Sequence, residues 1–195
     1  IGACFIMLIT TYLAHGVSRK TTVALLGTTI SIVLTYALAN LSMYFLQVNG
    51  SGGQDAYDLY LATNTVVDAK GLLLSGIIIA TLGALNDVTV TQAATVFQLK
   101  RIKPDMTFTD LITHGFSVGR EHASSMVNTV ILAYAGSSLG VFFFFIINTK
   151  SQGYISLLNN EFIVEEVVKT LAGTLGILLA VPIVTVLAAY AVSKK

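Results

Sequence analysis

The chain is 195 residues long and only 11% of them are charged, whereas about 25% is usual for a soluble domain. Its formal net charge of +1 leaves no basic surplus to neutralise phosphates, which argues against a nucleic-acid-binding protein. The single cysteine, Cys4, excludes an intrachain disulfide and a cysteine-cluster metal site, and no cofactor or metal motif stands out.

Three long segments carry no charged side chain at all. They are Val23–Leu46, Val127–Thr149 and Thr170–Val192. Each reaches the ~20 residues that an α-helix needs to cross ~30 Å of hydrocarbon. The sequence therefore predicts an integral membrane protein.

We expect an all-α, polytopic transmembrane bundle of about five spans, forming one domain over residues 1–195. The first segment is slightly short for a span and begins without a methionine, which suggests a truncated helix and the C-terminal part of a longer protein. The expected spans are Ile1–Ala14, Thr22–Leu46, Gly71 to about Val96, about Ser125–Ile147 and about Val167–Val192.

Basic residues favour an odd number of spans. Cytoplasmic loops collect lysine and arginine, and eight of the 11 basic residues fall in alternate connections of the five-span arrangement. This places the C-terminus inside. The connection Gln47–Asp68 is then extracytoplasmic, with a short interfacial helix within Gln54–Asp68. Pro104–Ser124 is predicted to be a cytoplasmic amphipathic helix, capped by Thr107, that lies on the membrane or continues into the fourth span.

Asp87 is the principal candidate for chemistry, because it lies inside the third span. A carboxylate at membrane depth costs ~2.5–3.5 kcal/mol, and such residues often belong to ion or proton pathways. Loss of hydration favours its protonated form, so it could take up and release a proton. The alternative is a structural carboxylate that pairs with neighbouring groups.

The surrounding sequence predicts which faces of the third and fourth spans are polar. Asn86, Thr89 and Gln92 lie on one stripe of the third span, which should therefore pack against other helices, and glycines 71, 76 and 83 would allow close approach. Asn128 and Thr129 of the fourth span are expected at the depth of Asp87 and could meet it. Arg120, Glu121 and His122 form a predicted polar cluster at the inner interface, where adjacent residues do not share a helix face.

The remaining features concern helix packing and helix ends. Gly136 and Gly140 form a G-x-x-x-G pair that suits tight packing, as do Gly173 and Gly176 in the last span. Glu165, Glu166 and Lys169 mark the outer start of that span, with Glu165 and Lys169 as an i, i+4 pair. Pro182 predicts a kink that could act as a hinge.

Four separated blocks of the sequence together resemble the YibE/F-like family of bacterial membrane proteins. Asn86 and Lys169 depart from the family pattern, where methionine and arginine are usual. The resemblance implies a multi-pass protein of the bacterial cell membrane, with an upstream span and an extracytoplasmic domain, but it does not define an activity. The blocks are Gly76–Val88, Gly119–Glu121, Asn128–Leu139 and Asn160–Pro182.

A more distant similarity is to half of a resistance–nodulation–division permease, or to the SecD/SecF export proteins, in which membrane acids couple proton flow to work. We therefore expect a transporter or permease-like protein, coupled to protons through Asp87. The alternative is a membrane scaffold or assembly partner whose buried polar groups hold helices together. An enzyme is not expected, since the sequence contains no H-E-x-x-H motif and no paired membrane aspartates. The expected partners are the lipid bilayer and either further copies of the chain or another membrane subunit.

Overall fold

The computed structural model describes residues 2–52, 58, 61, 62, 65 and 68–193. The described residues form helices and connections without strands, which confirms the all-α bundle. The predicted interfacial helix within Gln54–Asp68 lies mainly outside the described residues. The helices are α1 (Gly2–His15), α2 (Arg19–Leu46), α3 (Ala69–Ile102), α4 (Phe108–Ser137), α5 (Leu139–Gln152), α6 (Tyr154–Leu158) and α7 (Glu161–Ser193).

Within the described residues, three helices are long and apolar enough to cross a membrane, namely α2, α3 and α7. A fourth span exists if α4 and the following helix are counted as one bent pair. The described part of the chain thus provides three or four spans rather than the expected five. The predicted span that does not qualify in either count is the first one. Its helix, α1, has only 14 residues, fewer than the ~20 that a full crossing requires.

Helices α2, α3 and α7 pack against one another, and α4 covers α3 and α7 on one side. Helix α1 is attached to α2 and α3. Most of the apolar core lies among these helices, for example at Ile32, Leu85 and Ile177. Because α2 runs opposite to both α3 and α7, the basic residues at the start of α2 and the end of α3 lie at one end of the bundle. We call this the basic end, and the opposite end, at Asn49–Gly52, the loop end.

Side-chain caps fix where three helices begin. Ser18 accepts a hydrogen bond from the amide of Thr21 at the start of α2, and Asp68 accepts one from Gly71 at the start of α3. Thr107 and Asp110 form the predicted capping box at the start of α4, each side chain binding the other's backbone amide. From this cap α4 continues without a break to Ser137, so the amphipathic segment runs directly into the fourth span.

The predicted fourth span, about Ser125–Ile147, contains a bend that the sequence analysis did not anticipate. Helices α4 and α5 meet at Ser138, with an angle of 60° between them. By contrast, α7 remains one helix through Pro182, although proline supplies no backbone N–H for its turn. The role of Pro182 as a hinge stays a prediction.

Candidate functional site

Asp87 lies on the outside of the bundle. It is the only charged residue of α3 between Lys70 and Lys100, which places it about 25 Å from the first and about 20 Å from the second at ~1.5 Å per residue. Its side chain is exposed and forms no hydrogen bond or ion pair with any described residue of the chain. The carboxylate is therefore near the middle of a helix that is long and apolar enough to cross a membrane, but it points away from the other helices.

The neighbouring Asn86 is partly buried, and its side chain forms a hydrogen bond with α1. The hydroxyl of Thr11, a buried side chain of α1, donates a hydrogen bond of 2.9 Å to the amide oxygen of Asn86. This bond connects α1 to α3 one residue away from Asp87.

Asn128 and Thr129 are at the expected depth, but they do not meet Asp87. Leu85 and Val88 of α3 belong to the same apolar cluster as Met126 and Val127 of α4, which puts the two segments level with each other. The side chains of Asn128 and Thr129 are nevertheless exposed, and the hydroxyl of Thr129 donates to the carbonyl of Ser125 at 3.1 Å. No hydrogen bond joins these described residues to Asp87, so the predicted three-residue contact does not form within the chain.

The predicted cluster at the start of the fourth span separates into two parts. Arg120 and Glu121 pair with each other at 3.3 Å, with side chains 70% and 76% exposed. This corrects the expectation that adjacent residues would each need another partner, because long side chains can fold towards one another on the surface. Such an exposed pair contributes little stability. His122 is partly buried, and its Nε2 atom is shielded without a hydrogen-bond partner among the described residues.

Gln92 forms the most connected polar contact inside the bundle. Its side-chain amide donates to the carbonyl of Gly115 at 2.8 Å and to the hydroxyl of Thr185 at 2.7 Å. Thr185 in turn donates to the carbonyl of Val181. One buried side chain of α3 therefore binds both α4 and α7. Because water is scarce at this depth, these hydrogen bonds satisfy groups that would otherwise be costly to bury.

Thr89 completes the predicted polar stripe of α3. Its hydroxyl is 2.6 Å from that of Thr28 in α2, and both side chains are fully buried. Together with Asn86 and Gln92, it gives α3 polar contacts to α1, α2, α4 and α7. The prediction that this stripe packs against other helices is confirmed.

Glycines allow the close contacts around this stripe. A Cβ atom at Gly119 would lie 2.5 Å from Gln92 Oε1 and 2.6 Å from Val181 Cγ1, and one at Gly173 would lie 2.9 Å from Tyr134 Oη. In the same way, a Cβ atom at Gly27 would overlap the side chain of Val184, and one at Gly176 would overlap the side chain of Thr35. The predicted packing role of Gly173 and Gly176 is confirmed, and Gly119 and Gly27 are packing positions that the sequence did not single out.

Other glycines of the same kind face open space. A Cβ atom at Gly76 or Gly83 of α3, or at Gly136 or Gly140 beside the bend, would meet no atom of the described residues within 4 Å. The prediction of close helix packing at these positions is thus wrong within the chain. The sequence motif gives no warning of this, since small residues at i, i+4 spacing look the same whether or not a neighbour covers them.

Helix α3 therefore has two contrasting faces. The packed face carries the buried side chains that contact α2, α4 and α7. The open face carries small residues and Asp87, at helical spacing and all exposed. The packed face consists of Leu85, Val88, Thr89, Gln92 and Val96, and the open face of Gly76, Ala80, Gly83, Asp87 and Thr91.

At the loop end, acidic side chains of α7 hold the loop between α2 and α3. Glu161 accepts hydrogen bonds from the amide of Asn49 at 2.7 Å and from the hydroxyl of Ser51 at 3.2 Å. Glu165, which is buried, accepts from the amide of Gly52 at 2.9 Å. The carboxylates thus bind backbone donors of another segment, a role that the sequence did not reveal.

The ion pair predicted at this end involves a different glutamate. Lys169 binds Glu166 at 2.8 Å, with i, i+3 spacing, and not Glu165. Glu166 also accepts a short hydrogen bond from Ser138, the residue at the bend between α4 and α5. Glu165 is directed towards the loop instead, which explains why Lys169 selects its neighbour.

The sequence model of the YibE/F-like family matches residues 1–194, which is nearly the whole chain. The chain belongs to the YibE/F-like family, as its four sequence blocks indicated. No curated protein and no solved structure matches it. The similarity to resistance–nodulation–division permeases and to SecD/SecF stays a prediction.

Proposed function

We propose that the protein is a transporter or permease component of the bacterial cell membrane, coupled to protons through Asp87. One observation carries this proposal, namely a single carboxylate near the middle of the membrane-spanning helix α3 without a counter-ion in the described chain. Ionisable residues are rare at such depth and usually serve ion or proton movement. A proton is the smallest cation that neutralises an isolated carboxylate.

The position of Asp87 suggests how its proton could be linked to movement. The adjacent Asn86 holds Thr11 of α1, and the next turn of α3 carries Thr89, which holds Thr28 of α2. A charged Asp87 favours a more polar environment than a neutral one, so a change in its charge changes the position at which this turn of α3 is most stable. A shift of α3 would therefore be passed to α1 and α2 through two short hydrogen bonds.

The second candidate function is a membrane scaffold or assembly partner. Its support is the interior of the bundle, where the amide of Gln92 is satisfied by α4 and α7, and glycines 119, 173 and 176 bring helices into close contact. Such packing favours a rigid body. A scaffold would need Asp87 for contacts with another protein and would move no protons.

Proton flux into proteoliposomes separates the two candidates. Vesicles containing a pH-sensitive dye and a small-molecule extract of the expression host are given a pH gradient, and the rate is compared with that of protein-free vesicles. The proposal expects Asp87→Asn to reduce the protein-dependent rate at least tenfold and Asp87→Glu to retain part of it. Asp105→Asn, which changes an exposed carboxylate in the α3–α4 turn, serves as the matched control and should have no effect.

Wild-type flux in Asp87→Asn would exclude coupling through this residue. Absence of any protein-dependent flux in the wild type, combined with normal insertion, would favour the scaffold. A pH-dependent carboxyl stretching band in the infrared spectrum that disappears in Asp87→Asn gives independent support for proton binding, because it does not require the substrate to be known.

A further inference from the structure

We propose that the cleft between the start of α2 and the end of α3 binds the phosphate group of an anionic phospholipid, with Lys20 and Arg101 as the cations that recognise it. The cleft lies at the basic end of the bundle. This inference concerns a lipid ligand and stands whether or not Asp87 couples transport.

The cleft is formed by one residue of α2 and one face of α3. The α3 residues span seven positions, which is about 10 Å along the helix axis at ~1.5 Å per residue. The volume of the cleft is about 370 Å³, within the ~300–1,000 Å³ that small-molecule sites occupy. The lining residues are Lys20, Ala94, Phe97, Gln98 and Arg101.

The two cations of the cleft have no anion within the described chain. Neither Lys20 nor Arg101 forms an ion pair or a hydrogen bond with a described residue. By contrast, the neighbouring Lys100 donates to the carbonyl of Met106 at 2.8 Å. Helix α2 also has no acidic residue in its first turn, so Lys20 adds positive charge to the positive end of the helix dipole. An anion in the cleft would offset the repulsion between these charges.

Phosphate is the anion that fits these side chains best. The guanidinium group of Arg101 can donate two parallel hydrogen bonds to phosphate oxygens, and the ammonium group of Lys20 supplies a point charge from the other helix. Gln98, one turn before Arg101 on the same face, adds an amide that can donate to a further oxygen. The cleft thus offers donors from two helices to a single anion.

The apolar part of the cleft favours a lipid as the source of the phosphate. Ala94 and Phe97 lie farther from the end of α3 than Arg101, and both are partly exposed. A phospholipid carries its phosphate at the membrane surface and its acyl chains deeper, so it would cover both parts of the cleft. A soluble phosphate would leave the apolar part uncovered. Basic loops mark the cytoplasmic side, and basic pockets between membrane helices on that side bind anionic head groups.

Tryptophan quenching in vesicles tests which lipid occupies the cleft. The chain contains no tryptophan, so Phe97→Trp places a single fluorophore in the cleft. Tyr190→Trp, at an exposed position of α7 near the same end of the bundle, is the control. Both variants are placed in equimolar phosphatidylglycerol and phosphatidylcholine, with brominated acyl chains on one lipid or on the other. We expect bromine on phosphatidylglycerol to quench Phe97→Trp more strongly, and both lipids to quench Tyr190→Trp equally.

Charge variants in the Phe97→Trp background test the two cations. Lys20→Gln or Arg101→Gln should lower the preference for phosphatidylglycerol roughly fivefold, whereas Lys20→Arg should retain it. Arg19→Gln and Lys103→Gln remove the same charge from adjacent positions that do not line the cleft. In ~0.15 M salt, which screens charges more than ~8 Å away, these controls should change the preference less than about twofold. Thermal unfolding should be unchanged in all five variants.

Three results would overturn the inference. The first is equal quenching of Phe97→Trp by the two lipids, and the second is an equal loss of preference in the cleft variants and their controls. The third is loss of the preference on adding soluble glycerol 3-phosphate, which carries the phosphate without acyl chains and would make the cleft a site for a free phosphate. None of these results changes the expected flux of Asp87→Asn, so the two proposals fail separately.

Discussion

The packed face and the open face of α3 both carry polar side chains, but they have opposite surroundings. On the packed face, Gln92 binds α4 and α7, and the absence of a side chain at Gly119 lets α4 approach Gln92 closely. On the open face, Gly83 and Asp87 lie one turn apart, and both are exposed with no other helix of the described chain packed over them. Polar and small residues in a membrane helix therefore indicate that a face is used, but they do not say whether the partner belongs to the same chain.

The largest difference between the two faces is expected from adding volume. Gly119→Val would place side-chain atoms against Gln92 and Val181, and such overpacking typically costs about 1–3 kcal/mol. Gly83→Val adds the same atoms where nothing lies within 4 Å, so its effect should stay within about 0.5 kcal/mol. SDS-induced unfolding, in micelles that keep the protein monomeric, measures the free energy of unfolding of both variants. Equal losses in the two variants would show that the faces do not differ.

A smaller effect is expected from removing the central amide of the packed face. Gln92→Leu leaves the carbonyl of Gly115 without its donor and removes the bond to Thr185. Hydrogen bonds between membrane helices average ~0.6 kcal/mol, so we expect a loss of about 1 kcal/mol in the same unfolding experiment. Gln98→Leu, at an exposed site on the same helix, is the control and should cost almost nothing. A neutral Gln92→Leu would mean that this contact does not stabilise the bundle.

The smallest effect should come from Tyr134, which is buried beside Gly173. Its hydroxyl is shielded from solvent and has no hydrogen-bond partner among the described residues. Tyr134→Phe should therefore be neutral or slightly stabilising, since it removes an unsatisfied polar atom. Thr28→Val is the comparison, because it removes a buried hydroxyl that does bind Thr89 and should cost ~0.6 kcal/mol. A larger loss in Tyr134→Phe than in Thr28→Val would reveal a partner for the tyrosine hydroxyl.

Sequence reasoning worked where the pattern depends on local chemistry. The capping box at Thr107 and the polar stripe at Asn86, Thr89 and Gln92 follow from residue type and helical spacing, and the structure contains them. It failed where the local structure depends on segments that are far apart in the sequence. The bend at Ser138 and the choice of Glu166 by Lys169 are decided by helices that meet only after folding.

The sequence by itself determined that this is an all-α membrane protein of the YibE/F-like family, with a lone carboxylate in its third long helix. Charge-free segments of ~20 residues have the length and polarity to cross the hydrocarbon of a membrane, and helical rise fixes where each residue lies along the axis. Only the tertiary structure decided that Gln92 binds α4 and α7 and that Asp87 points away from the bundle. Which side of a helix becomes interior depends on the positions of its neighbours, and a one-dimensional pattern does not contain them.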